Sequence, residues 1–411
     1  MIVKHRDSVL ALTADDKLYE WKDEEPIMPK LVVESVAKLS FCPRYGEPTI
    51  LTHDGRILAA LKHDEGFRDI TAAVSEALEV STDLIQDIQV YGGVITAITH
   101  NRISFSNLYF FRASETVCYR GQPHSIIFPH RINLTSFGYT HGYVRTDDNT
   151  LHSLGYLQPH YRTLPKVHYS PEPGRVTAFG IIPTDNVGGI SQIICKLHYS
   201  FLIMDDGTVH ARGLEQIPEY ECMRANEPFV QIKFPVGIRI AKIVAKRSHI
   251  FYITTEGLCY YSYSCVRQAV SPYSPNHPVL IKALADNVVQ DVFVTKSEVT
   301  IWYDDSRLCV LHVSLRSWWS KNNGSPIDSA YIDGTCKPIP LTFPNDECIV
   351  AVMQASHGIY FTTDQGSVYR HDPSMEVFSP ERITFFDDNP VAIESTAARI
   401  GSGRSCLDDA Q

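Results

Sequence analysis

Histidine and cysteine are the residue types here best suited to bind a metal or attack a carbonyl, and the chain holds 17 and 10 of them. Their spacing offers neither chemistry. No HxH, HExxH or His-x3-His arrangement occurs, and the nearest pairs, His124/His130 and His160/His168, fall in turn-rich stretches. Cys259 and Cys265 stand closest among the cysteines at six apart, so zinc-ribbon and thioredoxin-type sites have no support. Gly138-Tyr-Thr-His-Gly142 has the outline of a nucleophile elbow with Thr as nucleophile, but it sits in a strand pattern with no helix after it. Gly188-Gly189 and Gly401-Ser-Gly403 lack the Lys and helix of a phosphate loop. No catalytic, cofactor-binding or metal-ligating residue is assigned, and no cofactor is expected.

The acidic pairs Asp15-Asp16, Asp147-Asp148, Asp205-Asp206 and Asp304-Asp305 could in principle serve acid–base work. Their setting says otherwise. Each lies between two short β-prone runs, where a carboxylate followed by Gly or Asn forms a hairpin turn. The clearest example is Lys196–Gly213, KLHYSFLIMDDGTVHARG. Similar hairpins recur about every 50 residues, with Asp16, Gly55, Asn101, Asn149, Gly207, Gly257, Ser306 and Gly366 at the turn. Most of these types tolerate left-handed backbone. Two residues on stand Leu18, Ile57, Ile103, Leu151, Val209, Cys259, Leu308 and Val368, all apolar as an inward strand position requires. A strand-only period of this size predicts an all-β protein, a β-propeller or another closed β array.

A further strand precedes most hairpins, as in 36–42, 85–91, 190–197, 240–246 and 348–355. Its apolar residues recur at a spacing of three as well as two, which leaves helix open as an alternative. The best helix candidate is Asp69–Leu84, read as a loop insertion. Pro- and Tyr-rich stretches at 159–175, 260–278 and 315–340 read as loops leaving the scaffold. No internal linker divides residues 1–400, which read as one propeller domain, and 401–411 read as a disordered tail.

The formal net charge of −10 argues against the phosphate backbone as a main partner, and no direct nucleic-acid contact is expected. The basic stretch Lys233–Arg247 reads as a strand turning its charges outward. No apolar run is long enough to span a membrane. With cysteines inside apolar strand patterns, such as Cys195 and Cys309, the chain is expected to be intracellular, in cytosol or nucleus. Its oligomeric state is open.

The repeat resembles that of the regulator of chromosome condensation family, His-Ser-x-Ala-Leu-Thr-x-Asp-Gly-x-Val-Tyr-x-Trp-Gly. Asp-Gly stands at Asp54-Gly55 and Asp206-Gly207, and Leu-Thr at Leu12-Thr13 and Leu51-Thr52. The leading His aligns with His141 and His249, and within one residue with His198 and His357. Val-Tyr becomes Leu18-Tyr19, Val209-His210 and Val368-Tyr369, and the last two positions keep Trp21, Gly155 and Gly213. The family's following Gly-Gln-Leu-Gly is missing throughout. The resemblance implies a β-propeller of seven four-stranded blades, whereas the hairpin spacing allows eight. It also predicts that the first hairpin pairs with a C-terminal strand near Pro390–Thr396 to close the ring. The repeat His is expected to be structural.

Function is then sought in the loops. The expected role is a protein–protein interaction scaffold whose partner docks on the loops between repeats, with Trp318, Trp319, Tyr161 and Tyr273 as candidate partner-binding residues. The alternative implied by the resemblance is a guanine-nucleotide exchange factor for a Ran-type small GTPase.

Overall fold

The computed structural model describes residues 1–5, 8–23, 27–41, 48–60, 66–91, 94–110, 117–119, 124–138, 141–156, 176–182, 189–195, 199–212, 229–246, 249–263, 278–281, 284, 288–294, 299–303, 307–311, 338–340, 343, 347–355, 358–372 and 379–392. They form eight antiparallel sheets, seven of four strands and one of five, in a β-propeller fold. In chain order, sheet one has strands Ile2–His5, Ser8–Leu12, Leu18–Lys22 and Lys30–Val33. Sheet two has Val36–Phe41, Pro48–Thr52, Ile57–Ala60 and Phe67–Asp69. Sheet three, the five-stranded one, has Asp87–Tyr91, Val94–Ile98 and Arg102–Phe110, with Val117–Tyr119 and His124–Ile127 both on the last of these. Sheet four has Ile132–Phe137, His141–Thr146, Leu151–Tyr156 and Val176–Ile182. Sheet five has Ile190–Cys195, Ser200–Met204, Val209–Arg212 and Val230–Gln231. Sheet six has Ile240–Lys246, His249–Thr254, Cys259–Tyr263 and Val279–Leu280. Sheet seven has Val289–Val294, Val299–Tyr303, Arg307–Leu311 and Pro338–Pro340. Sheet eight has Ile349–Gln354, Ile359–Thr363, Val368–His371 and Glu381–Arg382.

The recurring hairpin is the second and third strand of each sheet. At six copies its turn is the same. Thr13, Thr52, Thr146, Met204, Thr254 and Thr363 each donate N–H to the carbonyl four residues on at 2.9–3.0 Å. The residue three on returns its N–H to their carbonyl at 2.9–3.2 Å. That residue is Asp16, Gly55, Asn149, Gly207, Gly257 or Gly366, with φ between 61° and 82°. This is a type I turn closed by a left-handed residue, a common three-residue hairpin loop. The third copy is one residue shorter, with Thr99 N–H bonding Arg102 O, and Asn101 has no positive φ. Ser306 of the seventh copy lies outside the described residues. The apolar residue two past the turn is fully buried at Leu18, Ile57, Ile103, Leu151, Val209, Cys259 and Val368.

Gly257 is needed for two reasons. Its φ is +80°, and a Cβ there would lie 2.5 Å from Val288 Cγ1 and 2.8 Å from Val288 Cα. Val288 backbone cannot retreat, because Val289 N–H bonds Gly257 O at 2.8 Å. Gly257→Ala therefore adds left-handed strain of about 1–2 kcal/mol to overpacking of about 1–3 kcal/mol. Urea denaturation is expected to show a loss of about 2–5 kcal/mol, with m unchanged.

The ambiguous spacing of three in the first strands has a physical cause. In sheets four, five, seven and eight the register shifts one residue after the first pair, between Ile132/Leu134, Ile190/Gln192, Val289/Asp291 and Ile349/Ala351. A β-bulge inserts one unpaired residue and delays the next inward side chain. The buried pairs Ile190/Ile193, Val289/Val292 and Ile349/Val352 result, and Val36/Leu39, Ile85/Ile88 and Ile240/Ile243 repeat the spacing.

The helix expected within Asp69–Leu84 is Thr71–Leu78, followed by a 3-10 turn at Thr82–Leu84. It joins sheet two to sheet three and carries part of the core. Val74 and Leu78 pack with Ile57, Ile70, Val80, Ile85, Ile88 and Ile95.

Contacts divide the chain into two units. One holds 1–37, 251–261 and 279–400, the other 38–250, 262–278 and 401–411. The expected pairing near Pro390–Thr396 appears within the first unit, at Pro390–Ala392. Thr13 and Val391 form an antiparallel bridge, Ala14 N–H bonds Pro390 O at 2.9 Å, and Ala392 N–H bonds Leu12 O at 3.0 Å. In the second unit, first strands of successive sheets are tied by side chains. Lys38 pairs with Asp87 at 2.6 Å, Gln89 Nε2 donates to Thr135 Oγ1 at 3.3 Å, and Cys195 N–H donates to Ser136 Oγ at 3.0 Å.

Candidate functional site

Antiparallel order fixes which segments leave from which end of a sheet. The hairpin turn between strands two and three shares one end with the connection into the next sheet. The connection between strands three and four belongs to the other end. The three long Pro- and Tyr-rich segments all take that second place. They follow Tyr156 in sheet four, Tyr263 in sheet six and Leu311 in sheet seven. They are thus connections within a sheet rather than between repeats, because each follows its hairpin and precedes the fourth strand. Tyr161, Tyr273, Trp318 and Trp319 lie outside the described residues. Two of these loops are shorter than the sequence suggests. Tyr260–Tyr263 belong to a strand, with Tyr260 and Tyr261 buried, and Pro338–Pro340 form the fourth strand of sheet seven.

At this same end the structure places buried polar clusters that sequence patterns did not single out. Trp21 and Asp23 stand at the end of strand three of sheet one. Tyr360 is the second residue of strand two of sheet eight. Tyr360 OH donates to Asp23 Oδ1 at 2.6 Å and accepts from Trp21 Nε1 at 3.4 Å. Arg370 Nε lies 3.8 Å from Asp23 Oδ1, and Asp23 is 1% exposed. Burial first, then the bond to the Asp23 carboxylate, pushes the Tyr360 hydroxyl well above its ordinary pKa. A second cluster in sheet eight, at the opposite end beside the hairpin turn, centres on buried Glu347. It accepts from Thr363 Oγ1 at 2.6 Å and Tyr369 OH at 3.2 Å, with Arg382 Nη1 3.9 Å away.

Trp21 stands five residues past its turn residue and Tyr360 six before its own. In the second unit the same two repeat positions meet again, where Arg212 Nη1 donates to Tyr143 OH at 3.2 Å. Burial pushes that tyrosine up to about 12. Such hydroxyls stay protonated and cross-link neighbouring sheets. They are enclosed, so they have no access to a substrate. The signal for them was this pair of offsets, which single residues of different type conceal.

The turn end is acidic and exposed. Thr13, Thr52 and Thr146 hydroxyls donate to Asp15, Asp54 and Asp148, and Asp206 accepts from Thr208 N–H at 2.8 Å. These bonds, and for Asp15 first of all the Lys17 ammonium at 2.6 Å, hold the four carboxyls below the usual aspartate value, Asp148 at about 2. The acidic pairs are turn formers. A depressed carboxyl stabilises the fold above its unfolded pKa and loses that contribution as pH falls through the folded one. The Tm is therefore expected to fall between about pH 4 and pH 2, and Asp148→Asn to flatten that fall.

Among the described residues no group of three or more His, Cys, Asp or Glu is placed to hold a metal. Of the repeat histidines, His249 is buried at the start of its strand, and the side chains of His141, His198 and His357 lie outside the description. Cys195, Cys259 and Cys348 are not in disulfides, and burial raises the Cys259 thiol, which keeps it inert. In the basic stretch, Ile240, Ile243, Val244 and Ala245 are buried in a strand, and Arg239 Nε donates to Asp206 O at 2.9 Å. No described helix is long and apolar enough to cross a membrane.

No protein-family model and no curated protein matches the chain. Solved structures do resemble it. Human WBSCR16 is 14% identical, over 71% of this chain and 80% of that one, with a TM-score of 0.44. Prp20p from Saccharomyces cerevisiae, the yeast RCC1, is 13% identical over 87% and 77%, with a TM-score of 0.39. The computationally designed Ika8 is 9% identical over 89% and 93%, with a TM-score of 0.46. A likeness at these scores carries no argument about function.

Proposed function

We propose that the chain is a protein-interaction module whose partner docks on the connections between strands three and four. The observation that carries this reading is their shared place in the repeat. The longest Pro-, Tyr- and Trp-bearing segments all follow strand three. Each leaves a strand paired on both sides within its sheet, so a rigid base presents variable chain. Trp318 and Trp319 are the proposed anchors, with Tyr161 and Tyr273, since large aromatic side chains concentrate binding energy at interfaces. The partner is a protein, met inside the cell.

Prp20p is described with binding to Gsp1p and histones and is seen bound to Kap60. Those partners are Prp20p's. Exchange-factor activity on a Ran-type GTPase is the second outcome of the test. Affinity purification with Trp318→Ala/Trp319→Ala is expected to lose partners that the parent chain captures, at unchanged Tm. Retention of every partner contradicts these anchors. Release of a fluorescent GDP analogue from a Ran-type GTPase, accelerated at micromolar protein, would replace the scaffold reading by the exchange reading.

A further inference from the structure

We propose that Ile383–Ala392 is a releasable strap. It leaves sheet one as a unit, before the rest of either sheet it touches, and uncovers a backbone slot that takes an extended strand.

The first strand of sheet one is built from two separate pieces of chain. In sheets four, five, seven and eight the first strand opens opposite the turn, as Ile132↔Thr146, Ile190↔Met204, Val289↔Tyr303 and Ile349↔Thr363. One bulged residue follows, and the same strand then continues its ladder. In sheet one the residue opposite Thr13 is Val391, the bulge position is Ala392, and the ladder resumes on the other piece at Ile2↔Ala11. The match extends to the neighbouring turn. Val391 N–H bonds Gly366 O at 3.0 Å, as Ile240 bonds Gly207, Val289 bonds Gly257 and Val36 bonds Asp16 at 2.8 Å.

The difference is covalent. Ile240, Val289 and Val36 each continue into a strand that holds them in register. Val391 and Ala392 have one bridge pair and the flanking bonds Ala14 N–H to Pro390 O and Ala392 N–H to Leu12 O. Ala392 O also accepts from the Met1 ammonium at 2.6 Å and Ile383 N–H bonds Val368 O at 2.8 Å, and side chains hold the rest. Phe385 meets Tyr19 edge-on at 4.9 Å, and Phe386 packs on Trp21 at 5.6 Å. Release therefore breaks few backbone bonds and leaves every four-stranded ladder whole. It exposes Ala14 N–H and Gly366 O, a donor and an acceptor that an added strand satisfies, while Leu12 O keeps its bond from the Met1 ammonium at 3.0 Å. The occupant is an extended segment with a β-branched and a small residue in the places of Val391 and Ala392.

Hydrogen exchange on the full chain tests this. Amides of Ala14, Val391 and Ala392 are expected to exchange together, about tenfold or more faster than the matched amides of Val36, Ile240 and Val289. Equal rates overturn the proposal. In trans, a synthetic peptide of residues 383–392 added to Val391→Asp chain is expected to restore protection at Ala14, and a scrambled peptide is not. A folded variant that the peptide leaves unprotected overturns the strand-addition slot. Should the variant fail to fold, the exchange rates of the parent chain decide the release.

Discussion

Lys38→Met is expected to destabilise the protein by about 3–5 kcal/mol, the cost of leaving a partly enclosed charge without its partner. Lys38 Nζ lies 2.6 Å from Asp87 Oδ2, with side chains 13% and 14% exposed. Gln89 Nε2 shares that oxygen at 3.1 Å, and Asp87 Oδ1 has no donor among the described residues. Without Lys38, a carboxylate with little water and one amide donor remains between two first strands. The double variant Lys38→Met/Asp87→Leu removes both charges and is expected to cost less than about 2 kcal/mol, because the desolvation of the pair is removed with it. Chemical denaturation of the two single variants and the double gives the coupling directly. A Lys38→Met loss below about 1 kcal/mol would mark the pair as an ordinary solvated bridge.

Trp21→Ala carries the second large effect, about 3–5 kcal/mol for emptying a buried indole site. Trp21 is buried against Tyr360 at 5.9 Å and Phe386 at 5.6 Å. It therefore touches sheet one, sheet eight and the strap at once. Trp21→Phe keeps most of the packing and removes the Nε1 donor to Tyr360, for an expected loss of about 1 kcal/mol. Thermal denaturation monitored by circular dichroism separates the two. Equal losses for Ala and Phe would place the energy in the hydrogen bond, contrary to the packing account.

These residues show where sequence is readable and where it is not. The turns were legible because they have a local cause. Asp16, Gly55, Asn149, Gly207, Gly257 and Gly366 all take a backbone conformation that few residue types accept, so their types converge. The inward position two residues later converges for an equally simple reason, burial. The first strands were half legible, since a bulge shifts the apolar period from two to three and copies a helical signal. Asp69–Leu84 was read as an insertion, and its apolar face proved to be part of the core. The inter-sheet contacts were hidden. Five residues past the turn stand Trp21, Ala60, Leu154, Arg212, Ser262 and His371. No composition unites them, because each is matched to a different neighbour. Lys38 and Asp87 likewise resemble alternating solvent residues until two strands bring them together. The candidate anchors Tyr161, Tyr273, Trp318 and Trp319 were chosen by residue type alone. What sheet order adds is their common point of departure after strand three.

Cross-linking mass spectrometry of the chain with its captured partner tests that placement most directly. The account predicts cross-linked peptides within 157–175, 264–277 and 312–337. Cross-links confined to the hairpin turns at 13–17, 52–56, 146–150, 204–208, 254–258 and 363–367 would contradict it and move the docking surface to the acidic end of the sheets.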